Sequence, residues 1–126
     1  MKTNFFNIDW NKNNKIALRN FSESQDHHDI VKTLLMRMLR RKNKNSNQVL
    51  LYSENDPNNK NNNYPDIWMR TRKGDIIVWE IQKEITTKWE KEVIERYKDV
   101  DLIIVPLKNL SKNIDKLKIQ LKEFVI

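Results

Sequence analysis

The chain has 126 residues, with 24 Lys and Arg against 17 Asp and Glu, a formal net charge of +7. That length makes one domain. The absence of cysteine excludes disulfides and thiolate metal sites, and a single glycine excludes the Gly-rich phosphate loops of nucleotide-binding folds. No run approaches the roughly 18 apolar residues that span a bilayer, and the start has no apolar leader, so a cytoplasmic protein without membrane contact is expected. Its charge favours an anionic partner.

Residues 1–21 have no clean period; Phe5, Phe6, Ile8 and Trp10 are apolar among Asn and Lys, and 16–21 reads as a short strand or as the lead-in to a helix. From Ser22 the pattern sharpens. Ser22 to Gln25 fits a capping box. Ile30, Val31, Leu34, Leu35, Met38 and Leu39 then recur at helical spacing. Asp26 and Asp29 sit at the start of this helix and Arg37, Arg40, Arg41 and Lys42 towards its end, as the helix dipole favours. Residues 48–53 predict a short strand and the Asn-rich stretch 53–65 a loop. Residues 66–71 and 76–83 predict two strands joined by a tight turn at Gly74. The second is apolar almost throughout up to Trp79, as in a strand covered on both faces. A helix follows over 86–98, with Ile85, Trp89, Val93 and Tyr97 on one side, then a buried strand at 102–105. A last helix is capped by Ser111, with Ile114, Leu117, Leu121 and Phe124 as its stripe. The order is α-β-β-β-α-β-α, with no repeats and no linker between two cores.

Side chains alternate along a strand, so Glu80 and Gln82 share a face while Ile81 points away. If the two strands pair through the Gly74 turn, Asp66 lies opposite Glu80 or its neighbours. Two carboxylates and an amide oxygen then converge at one end of a sheet. Such hard oxygen donors suit Mg²⁺ or Mn²⁺, and a divalent cation would compensate a charge buried among apolar residues.

The segment YPDIWMRTRKGDIIVWEIQKE (Tyr64–Glu84) resembles the signature of the PD-(D/E)XK nucleases, with Pro65-Asp66 as the Pro-Asp and Glu80-Ile81-Gln82 as the acid-x-Lys motif. The resemblance implies an α/β, restriction-endonuclease-like αβββαβα core over residues 22–126, with a mixed central sheet flanked by helices. Residues 1–21 would be an N-terminal extension. It further implies metal-dependent hydrolysis of DNA phosphodiesters, possible selectivity for branched structures, and Mg²⁺ or Mn²⁺ held by Asp66, Glu80, the Ile81 carbonyl and the Gln82 side chain. An acid from the first helix commonly joins such a set; Asp26, Glu23 and Asp29 are available. Gln82 departs from the pattern, since the family usually has lysine there. The missing cation could come from Lys83, were the strand bulged, or from Lys88 in the following helix. The basic run Arg37, Arg40, Arg41, Lys42 and Lys44 is the natural contact for a phosphate backbone. Small domains that cut two strands commonly pair, so a homodimer through the apolar N-terminal stretch is expected.

Simpler readings stand beside these. Asp66 could end a loop, and Glu80 could guard an edge strand by pairing with Arg70. His27 and His28, adjacent on a helix, project about 100° apart and read as surface or core-rim residues. Trp68, Trp79 and Trp89 read as packing aromatics. The rival functions are a non-catalytic nucleic-acid-binding protein of the same fold and, more distantly, an adaptor whose basic face binds an acidic protein.

Overall fold

The apolar run beginning at Ile76 organises the rest of the chain. In the computed structural model, which describes residues 5–11, 14–19, 25–43, 50–53 and 64–126, this run is a strand with Ile77, Val78, Trp79 and Ile81 buried. A strand apolar on both sides needs a neighbour along each edge and a helix over each face. The elements are β1 (Phe5–Asn11), β2 (Asn14–Arg19), α1 (Asp26–Lys42), β3 (Leu50–Tyr52), β4 (Ile67–Arg70), β5 (Ile76–Gln82), α2 (Thr87–Arg96), β6 (Asp101–Pro106) and α3 (Ile114–Leu121). They form a small mixed α/β domain. From α1 onward, the order of helices and strands is the one that the periodicity predicts.

Among the described residues, the six strands lie in one sheet in chain order. The β1–β2, β3–β4 and β4–β5 pairs are antiparallel; β2–β3 and β5–β6 are parallel. The parallel β5–β6 pair encloses α2 as its crossover, which lays that helix on one face. There Val93 and Tyr97 pack on Trp68 and Val78, with Trp89 partly buried against them. On the other face, Ile67, Met69, Ile77, Trp79 and Ile81 meet Val31, Leu35, Met36 and Leu39 of α1 and Leu117 and Leu121 of α3. The Trp79 indole N–H, buried in this layer, donates to the Phe124 carbonyl at 2.8 Å. All three tryptophans read as packing residues are thus core or core-rim.

The β4–β5 turn fixes the register. Thr71 N–H donates to the Asp75 carbonyl (2.8 Å), Gly74 N–H to the Thr71 carbonyl (2.9 Å) and Asp75 N–H to Thr71 Oγ1 (3.2 Å). Gly74 has φ +90°, the left-handed region that a β-carbon disfavours. Counting back from it, Arg70 pairs with Ile76 and Ile67 with Trp79, so the next position brings Asp66 level with Glu80.

Some local features differ from expectation. The N-cap of α1 is Gln25, which makes no side-chain capping bond, and Ser22, Glu23 and Ser24 of the expected capping box lie outside the described residues. The cap of α3 is Asn113, whose side chain accepts from Lys116 N–H at 3.1 Å; Ser111, two residues earlier, accepts from Asn113 N–H and so serves the turn that leads in. Helix α2 is shorter than its apolar stripe suggests, because Thr86 caps it and leaves Ile85 exposed before it. Within the indistinct first 21 residues, β1 and β2 form a hairpin that joins the sheet beside β3 through Asn14 and Leu51. Among the described residues no helix is long and apolar enough to cross a membrane.

Open space surrounds the position that a Gly74 β-carbon would take, so only the backbone opposes a side chain there. Gly74→Ala is therefore expected to lower the unfolding free energy by about 1–2 kcal/mol, measured by urea denaturation, without changing the far-ultraviolet circular dichroism.

Candidate functional site

Asp66 stands just before β4, after the buried Pro65, and its carboxylate is itself buried. Oδ2 accepts the Ile81 backbone N–H at 2.6 Å, which ties the entry of β4 to β5. Oδ1 lies 3.2 Å from Nε2 of His28, in the first turn of α1, so the helix end is bound to the same group. Glu80 approaches from β5: the two carboxyls are within hydrogen-bonding reach, and Tyr97, the residue that ends α2, is near enough to act on Glu80 although its buried hydroxyl has no hydrogen-bond partner among the described residues. Two acids, an imidazole and a phenol thus meet where β4 begins and β5 ends.

Their electrostatics divide the two acids. Burial pushes the Asp66 carboxyl upward, but the His28 hydrogen bond and charge, with the Ile81 N–H, outweigh this and hold it below the ordinary Asp range. Burial lowers the affinity of His28 for its proton, and Asp66 more than restores it, so the imidazole ends above its usual value of 6.5. Glu80 is pushed from 4.5 to about 8, first by burial and then by the negative charge of Asp66; Tyr97 and Arg96 act in the opposite sense. The Tyr97 phenol is pushed up by burial and by Glu80. At neutral pH the pair is therefore one carboxylate and one carboxylic acid sharing a proton, and the imidazole beside the carboxylate is shifted towards its charged form. Two acids that cannot both ionise unaided form a recognisable functional arrangement.

The other predicted residues fall at different distances from this centre. Ile81 takes part through its backbone N–H. Gln82 is half-buried, and its side-chain amide donates to the Glu84 carbonyl at 3.2 Å, so the amide oxygen is the atom left for a ligand. Lys83 is exposed after β5 and Lys88 is exposed in the first turn of α2; the charges acting most strongly on the two acids are His28, Arg96 and each other. Asp26 is exposed, and at about 100° per residue it projects about 160° away from His28. Arg37 and Arg41 are exposed, Arg40 is half-buried and Lys42 is exposed at the end of α1; Lys44 and Glu23 lie outside the described residues. Arg70 is exposed, its backbone level with Ile76, and β5 is an interior strand, so Glu80 is no edge-strand guard.

Sequence reasoning missed His28 and Tyr97. His27 behaves as expected at the rim, where its Nε2 lies 3.1 Å from the Ser111 carbonyl. The angle that parts it from its neighbour is what delivers His28 to Asp66. A signal was present: His28 lies one turn before the fully buried Lys32, on the inward side of α1. Tyr97 was legible as an apolar stripe residue but not as a hydroxyl facing Glu80.

The donors fit a hard divalent cation. Asp66 and Glu80 together offer carboxylate oxygens, those of Asp66 already met by His28 and the Ile81 N–H and those of Glu80 reconciled by a shared proton, and Mg²⁺ needs one or two carboxylates while retaining waters. Among the described residues no group of three or more His, Asp and Glu side chains meets around one point, so any further ligands are the Ile81 carbonyl, the Gln82 amide oxygen and water. Comparison with protein-family models, curated proteins and solved structures gives no match for this chain.

A raised Glu80 pKa means that the folded chain holds a proton which the unfolded chain has lost. Its contribution to stability is complete below about 4.5 and is lost as pH rises through about 8. In EDTA, the urea midpoint is expected to fall between pH 5 and pH 8, and Glu80→Gln, which keeps a neutral side chain, is expected to remove most of that fall. His28→Asn gives a second test: it leaves Asp66 buried without its imidazolium and should destabilise most between about pH 4 and 6.5, where both partners are charged in either state of the chain.

Proposed function

We propose that the protein is a metal-dependent nuclease that hydrolyses DNA phosphodiester bonds, built on a restriction-endonuclease-like core. One observation carries this reading. Asp66 and Glu80, the two acids of the Tyr64–Glu84 signature, come level on adjacent strands at one end of the sheet, their carboxyls within hydrogen-bonding reach. The element order from α1 to α3 and the net charge of +7 support it.

In this mechanism Asp66 and Glu80 would hold Mg²⁺ or Mn²⁺, with the Ile81 carbonyl and Gln82 side-chain oxygen as the further donors available. The cation, when bound, supplies charge neutralisation at the scissile phosphate and a water of lowered pKa. His28 and the Ile81 N–H keep Asp66 ionised and oriented. Glu80, which holds its proton up to about pH 8, would have to lose it to serve as a metal ligand, so metal binding would be favoured as pH rises. Lys88 is the lysine offered for the position that Gln82 leaves without a cation, exposed on a long side chain in the first turn of α2; the bulge that Lys83 would need is absent, since the β5–β6 register runs unbroken through Gln82. The protein acts as a homodimer on two strands.

A second reading, a nucleic-acid-binding protein that keeps the fold without the chemistry, draws on the Gln82 amide bonded to Glu84 and on Asp66 already engaged by His28 and Ile81. The two diverge in one assay. Supercoiled, linear and single-stranded DNA are incubated with Mg²⁺ or Mn²⁺ and wild type, Asp66→Asn or Glu80→Gln. The nuclease reading expects cutting that EDTA abolishes and that each substitution lowers by about 100-fold or more, with the fold retained by circular dichroism. No cutting of any substrate with either cation overturns it; equal cutting by both variants overturns the site.

A further inference from the structure

The outer side of α1 carries a second feature. Thr33, Arg37, Arg40 and Arg41 line a recess of about 420 Å³. At about 100° per residue these four fall within an arc of about 100°, centred nearly opposite Val31, Leu35 and Leu39, which face the sheet. Thr33, Arg37 and Arg41 form a single row rising about 6 Å per step, and the whole row spans roughly the axial length of three to four phosphates of one duplex strand, at about 3.4 Å each. Helix electrostatics accounts for Arg40, Arg41 and Lys42, which sit in the last turn where cations are favoured. It does not account for Arg37, nor for the recess. The exposed guanidiniums of Arg37 and Arg41 at this hollow are fork-shaped donors matched to phosphate oxygens, with the Thr33 hydroxyl beside them and the half-buried Arg40 adding positive charge.

We infer that this recess is an anchoring site for the phosphate backbone of duplex DNA, separate from the acid pair and independent of divalent metal. The identity of the polymer rests on the nuclease reading; the anionic occupant rests on the recess itself. The site lies on the opposite side of α1 from His28, so it holds DNA flanking the scissile position and acts on affinity, not on the chemical step. Thr33 sets one end of the row, because the next turn towards the N-terminus replaces cations with Asp26 and Asp29.

The test is binding of a fluorescent 20-base-pair DNA duplex in EDTA, followed by anisotropy across a salt series. Arg37→Ala/Arg41→Ala is compared with wild type and with Lys116→Ala/Lys118→Ala, which removes the same charge from exposed positions of α3. The arginine pair is expected to weaken binding at least about 10-fold at about 0.1 M salt and to make the log–log salt slope shallower by about 0.9 for each phosphate no longer neutralised. The lysine pair should leave both nearly unchanged. Equal effects of the two pairs, or an unchanged slope in the arginine pair, overturn the site. A tighter fit to duplex RNA of the same sequence, abolished in the arginine pair, overturns the choice of DNA. Because the assay contains no metal, its outcome is separate from that of the cutting assay: binding that needs the arginines without cutting leaves this site standing and removes the nuclease, and the reverse result does the opposite.

Discussion

The buried carboxylate of Asp66 is the constraint around which the rest of the molecule is arranged. An ionised carboxyl among apolar side chains is costly unless donors and a counter-charge surround it. Here the donors come from separate parts of the chain: the Ile81 N–H from β5 and the His28 imidazole from α1. One group therefore ties the entry of β4, the end of β5 and the first turn of α1 together. The β4–β5 register, set at the opposite end by the Gly74 turn, places Asp66 where all of these can reach it.

Glu80 experiences the same burial without the same compensation. Its neighbours are a carboxylate, which opposes its ionisation, and Tyr97 and Arg96, which favour it less strongly. The outcome is an acid that holds its proton at neutral pH beside one that does not. That asymmetry is what the proposed metal chemistry would draw on, since a divalent cation held by these acids would supply the compensating charge that the proton now supplies. It also places negative character at the sheet end while the outer side of α1 is basic, so the acid pair and the arginines lie on opposite sides of a single helix.

The elements that were legible in the sequence are those whose period is set by burial on a fixed face. Ile76 to Gln82 reads as a doubly covered strand because α2 and the α1–α3 layer do cover it, and Gly74 reads as a hairpin because its φ requires it. Asp66 and Glu80 were legible as opposites for the same reason: a short turn leaves one register. What sequence reasoning could not supply were contacts that depend on how one element is rotated against another. His28 reaches Asp66 only because α1 crosses the sheet end at a particular angle, and Tyr97 faces Glu80 only through the seating of α2. The α3 cap moved from Ser111 to Asn113 because both are good capping residues and local geometry chose between them. The β1–β2 hairpin was indistinct because its Asn and Lys residues interrupt the alternation that marks a strand.

The four residues Asp26, His27, His28 and Asp29 show how far a helix can separate neighbours in sequence. Each step turns the side chain by about 100°. Asp26 faces solvent at the positive end of the helix dipole, where a carboxylate is favourable. His27 reaches the Ser111 carbonyl and so fixes α1 to the loop before α3. His28 turns inward to Asp66, and Asp29 lies 3.5 Å from its other ring nitrogen, so a carboxylate is close to each side of the imidazole. An imidazole set between two carboxylates is favoured in its protonated form and held in one orientation. The first turn of α1 thereby holds Asp66 in its ionised form, while the outward side of its later turns carries the arginines. The same 3.6-residue period that hides the apolar side of α1 separates these two duties, and neither requires a change in the other.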